Sequence, residues 1–397
     1  MSILIFLTWL SLFLLFYSYL GYGLLLYGLV KWKRKRHPEP AAGFAEADLP
    51  EVTLLVAAYN EADCIAAKVE NSLAQDYPAG KLRWVFVTDG SDDGTPEVVA
   101  RYPEVRLYHQ SERRGKLAAV HRVMHEVETP IVVFSDANTL LNPQAIRHLV
   151  QPYADPQVGA VAGEKRVHMA AQDNASAAGE GLYWRYESQL KQWDGEWYSV
   201  VGAAGELFSV RKEAFREVPG DTLIEDFYLT MSIARDGYRV AYVPEAYAVE
   251  TASMTVKEEM KRKIRISAGA FQAVWRLREL LNPRRYGKLS FQYVSHRVLR
   301  WTLAPLGLLW LLVALPILAW QGGALYGWMA LGQLLFYLLA AIGWWLENRS
   351  IRVKVLFVPY YFVMMNACIL LGWRRYRKGQ QQVTWAKAQR RSYASGA

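Results

Sequence analysis

Three long stretches of the chain carry no charged side chain, and they constrain its fold more than any other feature. They cover residues 2–30, 301–346 and 355–373. A helix needs about 20 apolar residues to cross a bilayer, so the first stretch can cross once. It lacks the basic start and the small-residue cleavage site of a secretory signal. We therefore expect residues 1–30 to be retained as a transmembrane helix.

The second and third stretches predict a C-terminal membrane region over residues 299–373. The second is long enough for two spans, which we expect at about 301–321 and 324–346. The third is short for a span and contains Pro359. Whether residues 355–373 cross the membrane or lie at its surface stays open at this point.

The formal net charge of +9 is concentrated beside these apolar stretches. Basic residues are frequent in a linker (31–50), in two amphipathic segments expected to lie at the membrane surface (256–298) and in the tail (374–397). This distribution is typical of the cytoplasmic side of a multi-pass protein of the cell (inner) membrane, where it also meets anionic lipid. It argues against nucleic acid as a partner. Cys64 and Cys368 lie in different regions and indicate neither a disulfide framework nor a cysteine metal cluster.

Residues 51–255 are mixed in polarity, and strand-like runs alternate there with helix-like segments. The runs VTLLVAAYN, RWVFVTD, VRLYHQ and PIVVFSDAN predict the first four strands of a parallel, doubly wound sheet. Ligands of such sheets bind at the carboxyl ends of the strands, which here carry Tyr59, Asp89, Asp136 and Asn138. Taken singly, each polar residue is more often a turn or helix cap, but polar residues at the ends of three of these strands favour a site. Neither a Walker lysine motif nor a spaced glycine fingerprint is present, which disfavours ATP hydrolysis and ordinary dinucleotide binding.

Six motifs follow one another in an order that resembles a known family. They are VAAYNEA, VTDGSDDGT, RRGKLAAV, FSDANT, GAAGELFSVRKEAF and LIEDFYLT. Their order and spacing are similar to those of glycosyltransferase family 2, which contains cellulose, chitin and hyaluronan synthases. The resemblance covers roughly residues 50–270. It implies an α/β GT-A catalytic domain (Rossmann-like, with a mostly parallel sheet) on the cytoplasmic face, joined to transmembrane α-helices.

The resemblance implies a nucleotide-sugar site built from several of these motifs. The residues it assigns to that site are Ala57, Tyr59, Glu61, Asp89, Lys116, Asp136, Arg262 and Arg265. A carboxylate at Asp89 can accept the N–H of a uracil, and the amine of Lys116 suits a diphosphate. For Lys116, an ordinary surface lysine remains the alternative.

Asp136 and Asn138 match the family's DxD motif, which implies a divalent cation, Mg²⁺ or Mn²⁺, bound with the diphosphate. The second acid of the motif is an amide here. Asn138 offers a carbonyl oxygen without charge, so the metal is expected to bind less tightly. The sequence leaves open whether Asn138 binds the metal at all.

Glu225 and Asp226 stand at the start of a predicted helix that ends at Gly237. Acidic residues are favourable at a helix start whatever their function. By the resemblance, Asp226 is the general base that deprotonates the acceptor hydroxyl, with Glu225 in support. The small residues of the preceding motif would let the acceptor approach the backbone, and they are Gly202, Ala203 and Gly205.

Processive members of the family carry a Q-x-x-R-W motif, from which this chain departs. Its KRKIRI segment keeps Arg262 and Arg265 without the glutamine or the tryptophan. Trp275 is the candidate replacement as a sugar-binding platform, and a basic helix lying on anionic lipid is the alternative. The tail sequence QQVTWAKAQRR resembles the gating loop of cellulose and hyaluronan synthases and names Thr384, Trp385 and Lys387 as a candidate gate.

These observations predict a membrane-bound inverting glycosyltransferase that uses a nucleotide-sugar, with UDP as the expected nucleotide. The acceptor would be a growing polysaccharide of the cell envelope or a lipid-linked saccharide. Four apolar segments barely enclose a channel, so polymer export would need a partner protein or a homo-oligomer. Two alternatives stay open: a transferase that adds one sugar to a glycolipid, and a nucleotide-binding membrane scaffold without catalysis.

Overall fold

A computed structural model describes residues 1–36, 43–168, 176–251, 256–349, 351 and 353–379 of the protein. Within these residues, one sheet forms the centre of residues 50–270, the region that is expected to be catalytic and is called the catalytic part below. Its strands are β1 (Val52–Ala58), β2 (Leu82–Asp89), β3 (Val105–Gln110), β4 (Ile131–Asp136), β5 (Thr139–Leu141), β6 (Val158–His168), β7 (Leu207–Arg211) and β8 (Arg239–Thr251).

The sheet has the order β3-β2-β1-β4-β7-β6-β8-β5 and consists of two differently built halves. Strands β1 to β4 pair in parallel, as the sequence predicts. Beyond β4 the sheet is mixed, because β7 runs antiparallel to both β4 and β6, and β5 runs antiparallel to β8. The predicted α/β GT-A fold is confirmed, with a second half that is less parallel than the first four strands indicate.

Helices surround the sheet and extend away from it at both ends of the chain. The helices are α1 (Ser2–Phe16), α2 (Tyr22–Arg36), α3 (Ile65–Leu73), α4 (Thr95–Val99), α5 (Lys116–Met124), α6 (Ala145–Val150), α7 (Ser176–Trp197), α8 (Glu225–Arg235), α9 (Val256–Arg276), α10 (Pro283–Tyr293), α11 (Leu299–Trp301), α12 (Leu303–Trp320), α13 (Ala324–Glu347) and α14 (Lys354–Arg377). Single π-helical stretches join α1 to α2 (Tyr17–Gly21) and α10 to α11 (Val294–Val298).

The sheet buries apolar side chains on both faces, because successive residues of a strand point to opposite sides. Leu54 and Val56 of β1 pack in the core that also holds Ile65 and Val69 of α3. Leu55 of β1 points the other way, into the core formed with α5 and α8. The doubly covered sheet fixes the carboxyl ends of β1, β2 and β4 at one edge.

Among the described residues, four helices are long and apolar enough to cross a membrane, which indicates a membrane protein. They are Ser2–Arg36, Leu303–Trp320, Ala324–Glu347 and Val355–Arg377. The break between the second and third helices, where Gly322 has a φ of +92°, coincides with the expected boundary between the spans 301–321 and 324–346.

Helix α14 packs along α9 rather than standing apart from the catalytic part. Tyr361 and Met364 of α14 contact Met260 and Ile264 of α9. Gly372 permits the closest approach, since a Cβ there would lie 2.5 Å from the side chain of Ser267. The C-terminal end of α14 therefore lies beside the catalytic part.

The N-terminal helix is also tied to the catalytic part, through its basic end. The guanidinium of Arg34 donates two hydrogen bonds of 2.8 Å to the carboxylate of Glu196 on α7. Lys33 donates to the backbone oxygen of the same residue. The basic end of α2 and the catalytic part thus lie on the same side of any membrane that the helix crosses.

Candidate active site

One cavity of about 1380 Å³ collects nearly all of the residues that the sequence assigns to the site. The register explains why, since Ala57 of β1 lies level with Val87 of β2 and with Asp136 of β4. The predicted site residues that line the cavity are Ala57, Tyr59, Glu61, Asp89, Lys116, Asp136, Asn138, Ala203, Gly205, Glu225, Asp226, Arg262 and Arg265. Seven segments of the chain therefore meet in one cavity.

Two predicted acceptor residues lie elsewhere. Gly202 has a φ of +86°, and a Cβ on it would come within 2.1 Å of the ring of Phe227, so its role in the structure is to allow that packing. Trp275 is 63% exposed, lies beside Arg278 and does not belong to the cavity wall that the structure describes. The candidate gate residues Thr384, Trp385 and Lys387 fall outside the described residues.

Asp89 is buried at the end of β2, and its two carboxylate oxygens have different surroundings. Oδ2 accepts hydrogen bonds from the backbone N–H groups of Arg114, at 2.8 Å, and Gly115. Gly115 has a φ of +96°, a conformation that brings the loop close to the carboxylate. Oδ1 has no hydrogen-bond partner among the described residues. An unpaired buried acceptor in a cavity wall fits a ligand that supplies an N–H or O–H.

Tyr59 carries the guanidinium of Arg113 over its ring, 3.7 Å from the centroid. Both side chains line the cavity near Asp89. Arg113 approaches closely because Gly90 has no side chain, and a Cβ there would lie 2.5 Å from that of Arg113. The stacked pair forms a flat, cationic wall at this end of the cavity, which suits a nucleobase.

Lys116 opens α5 and connects two of the carboxylates. Its Nζ lies 2.8 Å from Oδ1 of Asp136 and 3.0 Å from Oε1 of Glu225. Burial alone lowers the pKa of Lys116, but the two carboxylates outweigh it and hold the pKa above its usual value. The alternative of an ordinary surface lysine does not describe this position.

Lys68 lies behind the turn that carries Asp136, and it is completely buried. Its Nζ donates to Oγ of Ser135 at 2.7 Å and to the backbone oxygen of Thr139 at 2.8 Å. Burial lowers the pKa of Lys68 to about 7. The two hydrogen bonds hold the end of β4 and the following turn in place.

Glu225 and Asp226 occupy the first turn of α8, and their surroundings shift their pKa values in opposite directions. Burial raises the pKa of Asp226 to about 7, and the like charge of Glu225 adds to the effect. Burial also acts on Glu225, but Lys116 holds the pKa of this residue below its usual value. Near neutral pH, Glu225 is thus charged, while Asp226 is poised to exchange a proton.

Gly205 lies beside Asp226, and Trp301 packs against the next residue, Phe227. A Cβ on Gly205 would lie 3.4 Å from Oδ2 of Asp226, so any larger residue would narrow the access to the carboxylate. The ring of Trp301 packs edge-on against Phe227, with 5.2 Å between centroids, and it lines the cavity. An indole in the wall of the cavity that holds the candidate base is a suitable platform for the apolar face of a sugar.

Arg262 belongs to a buried ion network beside the site. It pairs with Glu259 at 3.0 Å and approaches Glu250 at 3.8 Å. Glu250 and Glu206 both pair with Lys165. Burial alone raises the pKa of Glu206, but Lys165 holds it well below the usual range. The network keeps cations at the cavity wall while leaving few of its charges unpaired.

A second buried network joins the site to the membrane helices. Glu187 of α7 accepts a hydrogen bond from Arg300 at 2.8 Å, forms an ion pair with Arg297 and lies 3.2 Å from His296. All but His296 line the cavity. Asp194, on the same helix, bonds the other nitrogen of His296 and accepts from a tyrosine of α2. The network fixes α7, the π-helical stretch before α11 and the N-terminal helix relative to one another.

Beyond these charges, the cavity continues between the π-helical stretch of the N-terminal helix and α14. This part of the wall is largely apolar and aromatic, and its residues are Tyr19, Leu20, Phe357, Val358, Tyr361, Phe362, Met365, Asn366 and Ile369. Tyr19 donates a 2.9 Å hydrogen bond to Oδ1 of Asn366. The cavity is therefore polar at the strand ends and apolar toward the membrane helices.

The candidate ligands for a divalent cation are Asp136, the last residue of β4, and Asn138, and both line the cavity. A carboxylate and an amide oxygen are hard ligands that suit Mg²⁺ or Mn²⁺, with phosphate oxygens completing the coordination. A separate group at the cavity rim brings ligand atoms of Glu61, Asp63 and Cys64 within 4.8 Å of one another. This group is partly exposed and lies on the loop between β1 and α3.

Sequence reasoning missed Arg113, Lys68, Glu206 and Trp301. Arg113 was visible in the RRGK motif, and its position two residues before Gly115 was the available signal. Trp301 was hidden because it opens an uncharged stretch that indicates a membrane span. Lys68 and Glu206 carried no local signal, since their roles depend on partners that are distant along the chain.

The comparisons with known proteins agree with this geometry. The family model described as "Glycosyltransferase like family 2" matches residues 50–269, which confirms the resemblance seen in the six motifs. The poly-beta-1,6-N-acetyl-D-glucosamine synthase of Staphylococcus aureus (strain MSSA476) is 25% identical over 240 residues, 58% of this chain and 57% of that protein. The probable glycosyltransferase YdaM of Bacillus subtilis (strain 168) is 25% identical over 235 residues, 56% of each chain. The match thus spans little more than half the length of these curated relatives.

Among solved structures, the mannosyltransferase PcManGT from Pyrobaculum calidifontis, in complex with GDP-Man and Mn²⁺, has a similar fold. The TM-score is 0.68 and the sequence identity 24%, with 94% of this chain and 100% of that chain covered. This likeness supports the fold alone. The family is established by the family model, which matches more than half of the chain. The chain belongs to glycosyltransferase family 2.

Proposed function

We propose that the protein transfers a sugar, with inversion at the anomeric carbon, from a nucleotide-sugar to a hydroxyl of an acceptor held at the membrane surface. The observation that carries the proposal is the convergence of Asp89, Asp136 and Asp226 in one cavity. These three carboxylates supply a contact for the nucleoside, a ligand for a cation and a base. A cavity of this size also has room for the donor and the end of an acceptor together.

The nucleoside would bind between Asp89 and the stacked pair of Tyr59 and Arg113. The unpaired Oδ1 of Asp89 can accept the imino N–H of a base. Uracil offers such a group at N3, and guanine offers one at N1. We favour UDP, as expected from the family, while the GDP-Man bound to the mannosyltransferase supports guanine as the other base to test.

The diphosphate would meet Lys116 and the guanidinium of Arg265, which also lines the cavity. Asp136, with Asn138 beside it, would hold a divalent cation, and the Mn²⁺ of the mannosyltransferase complex supports this assignment. The chemistry supplied by the cation is charge neutralisation on the leaving diphosphate. Glu225 keeps Lys116 oriented toward the site through their 3.0 Å contact.

Asp226 is the base in this proposal. Its carboxylate accepts the proton of the acceptor hydroxyl while that oxygen bonds to the anomeric carbon and the bond to the diphosphate breaks. A single displacement of this kind proceeds from the side opposite the leaving group, which inverts the anomeric configuration. The raised pKa of Asp226 makes it a stronger base than an ordinary aspartate while leaving it ionised above neutral pH. Gly205 leaves room for the acceptor beside it.

The acceptor would stack on Trp301 and pass Ala203 and Gly205 on its way to Asp226. The other end of the cavity is apolar and reaches the membrane helices. This wall suits an acceptor with a lipid part, and it favours transfer of a single sugar to a glycolipid as the second candidate function. The similarity to the poly-beta-1,6-N-acetyl-D-glucosamine synthase and the tail motif support the first candidate, a growing polysaccharide.

The catalytic part would lie on the cytoplasmic side of the cell (inner) membrane. The basic end of α2 contacts the catalytic part through Arg34 and Glu196, and basic helix ends remain in the cytoplasm. Because α14 packs along α9, Arg375 near its end still lines the cavity. The segment that follows would then begin close enough to the site to act as the gate that its sequence suggests.

A scaffold that binds nucleotide without catalysis is the competitor from another class. It is disfavoured by the pair at α8, because a lapsed enzyme has no need to keep one acid charged and its neighbour poised near pH 7.

The test is a screen for release of the nucleoside diphosphate by purified protein in lipid nanodiscs, with UDP- and GDP-sugars, Mg²⁺ or Mn²⁺, and bacterial lipid extract as acceptor. We expect release to require acceptor and cation. Tight nucleotide binding without release in any combination would favour the scaffold. Labelled product of one added sugar would select the glycolipid function, and long product the polysaccharide.

A further inference from the structure

Lys116 forms an ion pair with Asp136, the carboxylate that is expected to bind the divalent cation. Its ammonium bridges Asp136 and Glu225, at 2.8 and 3.0 Å. All three side chains are largely covered, with 31% of Lys116, 30% of Asp136 and 19% of Glu225 exposed. An ion pair with this degree of burial is screened less by water than a surface pair. Asp136 is therefore already paired with a cation of the protein.

The turn after β4 lacks the second negative charge of the family's DxD motif. Asn138 contributes an amide, which has no formal charge, where the family motif has an acid. Behind the turn, the buried Nζ of Lys68 donates to Ser135 and Thr139. A bare divalent cation at Asp136 would have to displace the ammonium of Lys116, which lies 2.8 Å from the carboxylate oxygen that would bind the ion. Two positive charges at such a short distance repel each other, which disfavours binding of the ion alone.

A nucleotide-sugar changes this balance. Its diphosphate brings negative oxygens that can bind both a metal ion and a lysine ammonium. Lysine has a flexible four-carbon stem, so its ammonium can turn from Asp136 to a phosphate without movement of the backbone. Glu225 lies on the other side of Lys116 and still orients it after Asp136 is released.

Resting on the proposed function, we propose that Lys116 excludes the divalent cation from Asp136 until the nucleotide-sugar arrives, so that cation and donor bind as a pair. The diphosphate draws the ammonium away and frees the carboxylate for the metal. The coupling is reciprocal, since any ligand that favours the open arrangement of Lys116 helps the other to bind. The enzyme would thereby avoid a metal-loaded state that lacks its substrate.

The experiment measures Mn²⁺ binding by electron paramagnetic resonance, with free Mn²⁺ counted in the presence of protein and without nucleotide. Lys116→Met should bind Mn²⁺ at least about tenfold more tightly than the wild type, because a repelling charge has been removed. Adding Asp136→Asn to this variant should abolish the gain. Lys288→Met, which removes a lysine stacked on Trp197 far from the turn, is the charge-matched control and should behave as the wild type.

Equal nucleotide-free affinity for Mn²⁺ in the wild type and Lys116→Met would overturn the proposal. A gain that survives Asp136→Asn would also overturn it, because the ion would then lie elsewhere, as at Glu61, Asp63 and Cys64. If Lys116→Met melts at a lower temperature than the wild type, Lys116→Gln replaces it. Tight Mn²⁺ binding to the wild type without UDP overturns the proposal with no variant needed. Absence of Mn²⁺ binding even with UDP would instead contradict the proposed function itself.

Discussion

Glu225 and Asp226 are consecutive residues of one helical turn, yet the pKa values of their carboxyl groups are shifted in opposite directions. Lys116 holds the pKa of Glu225 below its usual value, whereas burial and the charge of Glu225 raise that of Asp226 to about 7. One ion pair therefore accounts for the difference between a permanently charged neighbour and a candidate base. This arrangement leads directly to a pH dependence.

We predict that kcat/KM falls on the acid side of about pH 7. Asp226 must be deprotonated to accept a proton, and its protonated fraction grows as the pH drops below its pKa, which lowers the rate about tenfold per pH unit. In Glu225→Gln the like charge is gone, so the acid limb should move to lower pH. A pH–rate profile checks this, and an acid limb at about pH 4 in the wild type, as for an ordinary carboxylate, would contradict it.

We predict that Asp89→Asn removes the preference among nucleotides. The wild type should bind UDP and GDP at least about tenfold more tightly than CDP and ADP, because only uracil and guanine offer an imino N–H to Oδ1 of Asp89. Titration calorimetry with the four diphosphates measures the preference. Asp76→Asn, at a surface ion pair with Arg147, is the control. Equal affinities in the wild type would remove Asp89 from base recognition.

We predict that Asn138→Asp lowers the Mn²⁺ concentration for half-maximal activity about tenfold, since a second carboxylate strengthens the binding of a divalent ion. Asn138→Ala should raise that concentration. Metal titrations of the transfer rate provide the measurement. If both variants keep the wild-type metal dependence, Asn138 is not a ligand.

We predict that Trp301→Ala raises the acceptor KM about tenfold, because the sugar loses its aromatic platform beside Asp226. Trp301→Phe should retain most of the affinity. Trp275→Ala is the matched control, since this tryptophan is exposed and lies outside the described cavity wall. If Trp275→Ala raised the acceptor KM and Trp301→Ala did not, the acceptor would bind at Trp275, as the sequence alone predicts.

The first half of the sheet could be predicted because its strands are continuous apolar runs that end in polar residues. Asp89 and Asp136 follow from that pattern, and the register of β1, β2 and β4 brings them together. The antiparallel insertion of β7 between β4 and β6 could not be predicted, since it depends on pairing between segments far apart in the chain.

The same limit applies to individual side chains. Lys116 and Glu225 are 109 residues apart in the sequence, and neither segment indicates by itself that the two side chains meet. Trp301 stands at the start of an apolar run, where a membrane anchor is the ordinary interpretation. Trp275 had the expected proximity to the arginines of α9, but its position along the helix turns it to the surface.

The central claim is that Asp226 is the base of a glycosyl transfer from a nucleotide-sugar. The most direct measurement compares the wild type with Asp226→Asn in acceptor-dependent nucleoside diphosphate release, with UDP affinity measured on the same preparations. The account predicts a loss of about 10³-fold in turnover with unchanged UDP binding, because the amide cannot accept the proton. Turnover within a few-fold of the wild type would contradict the account.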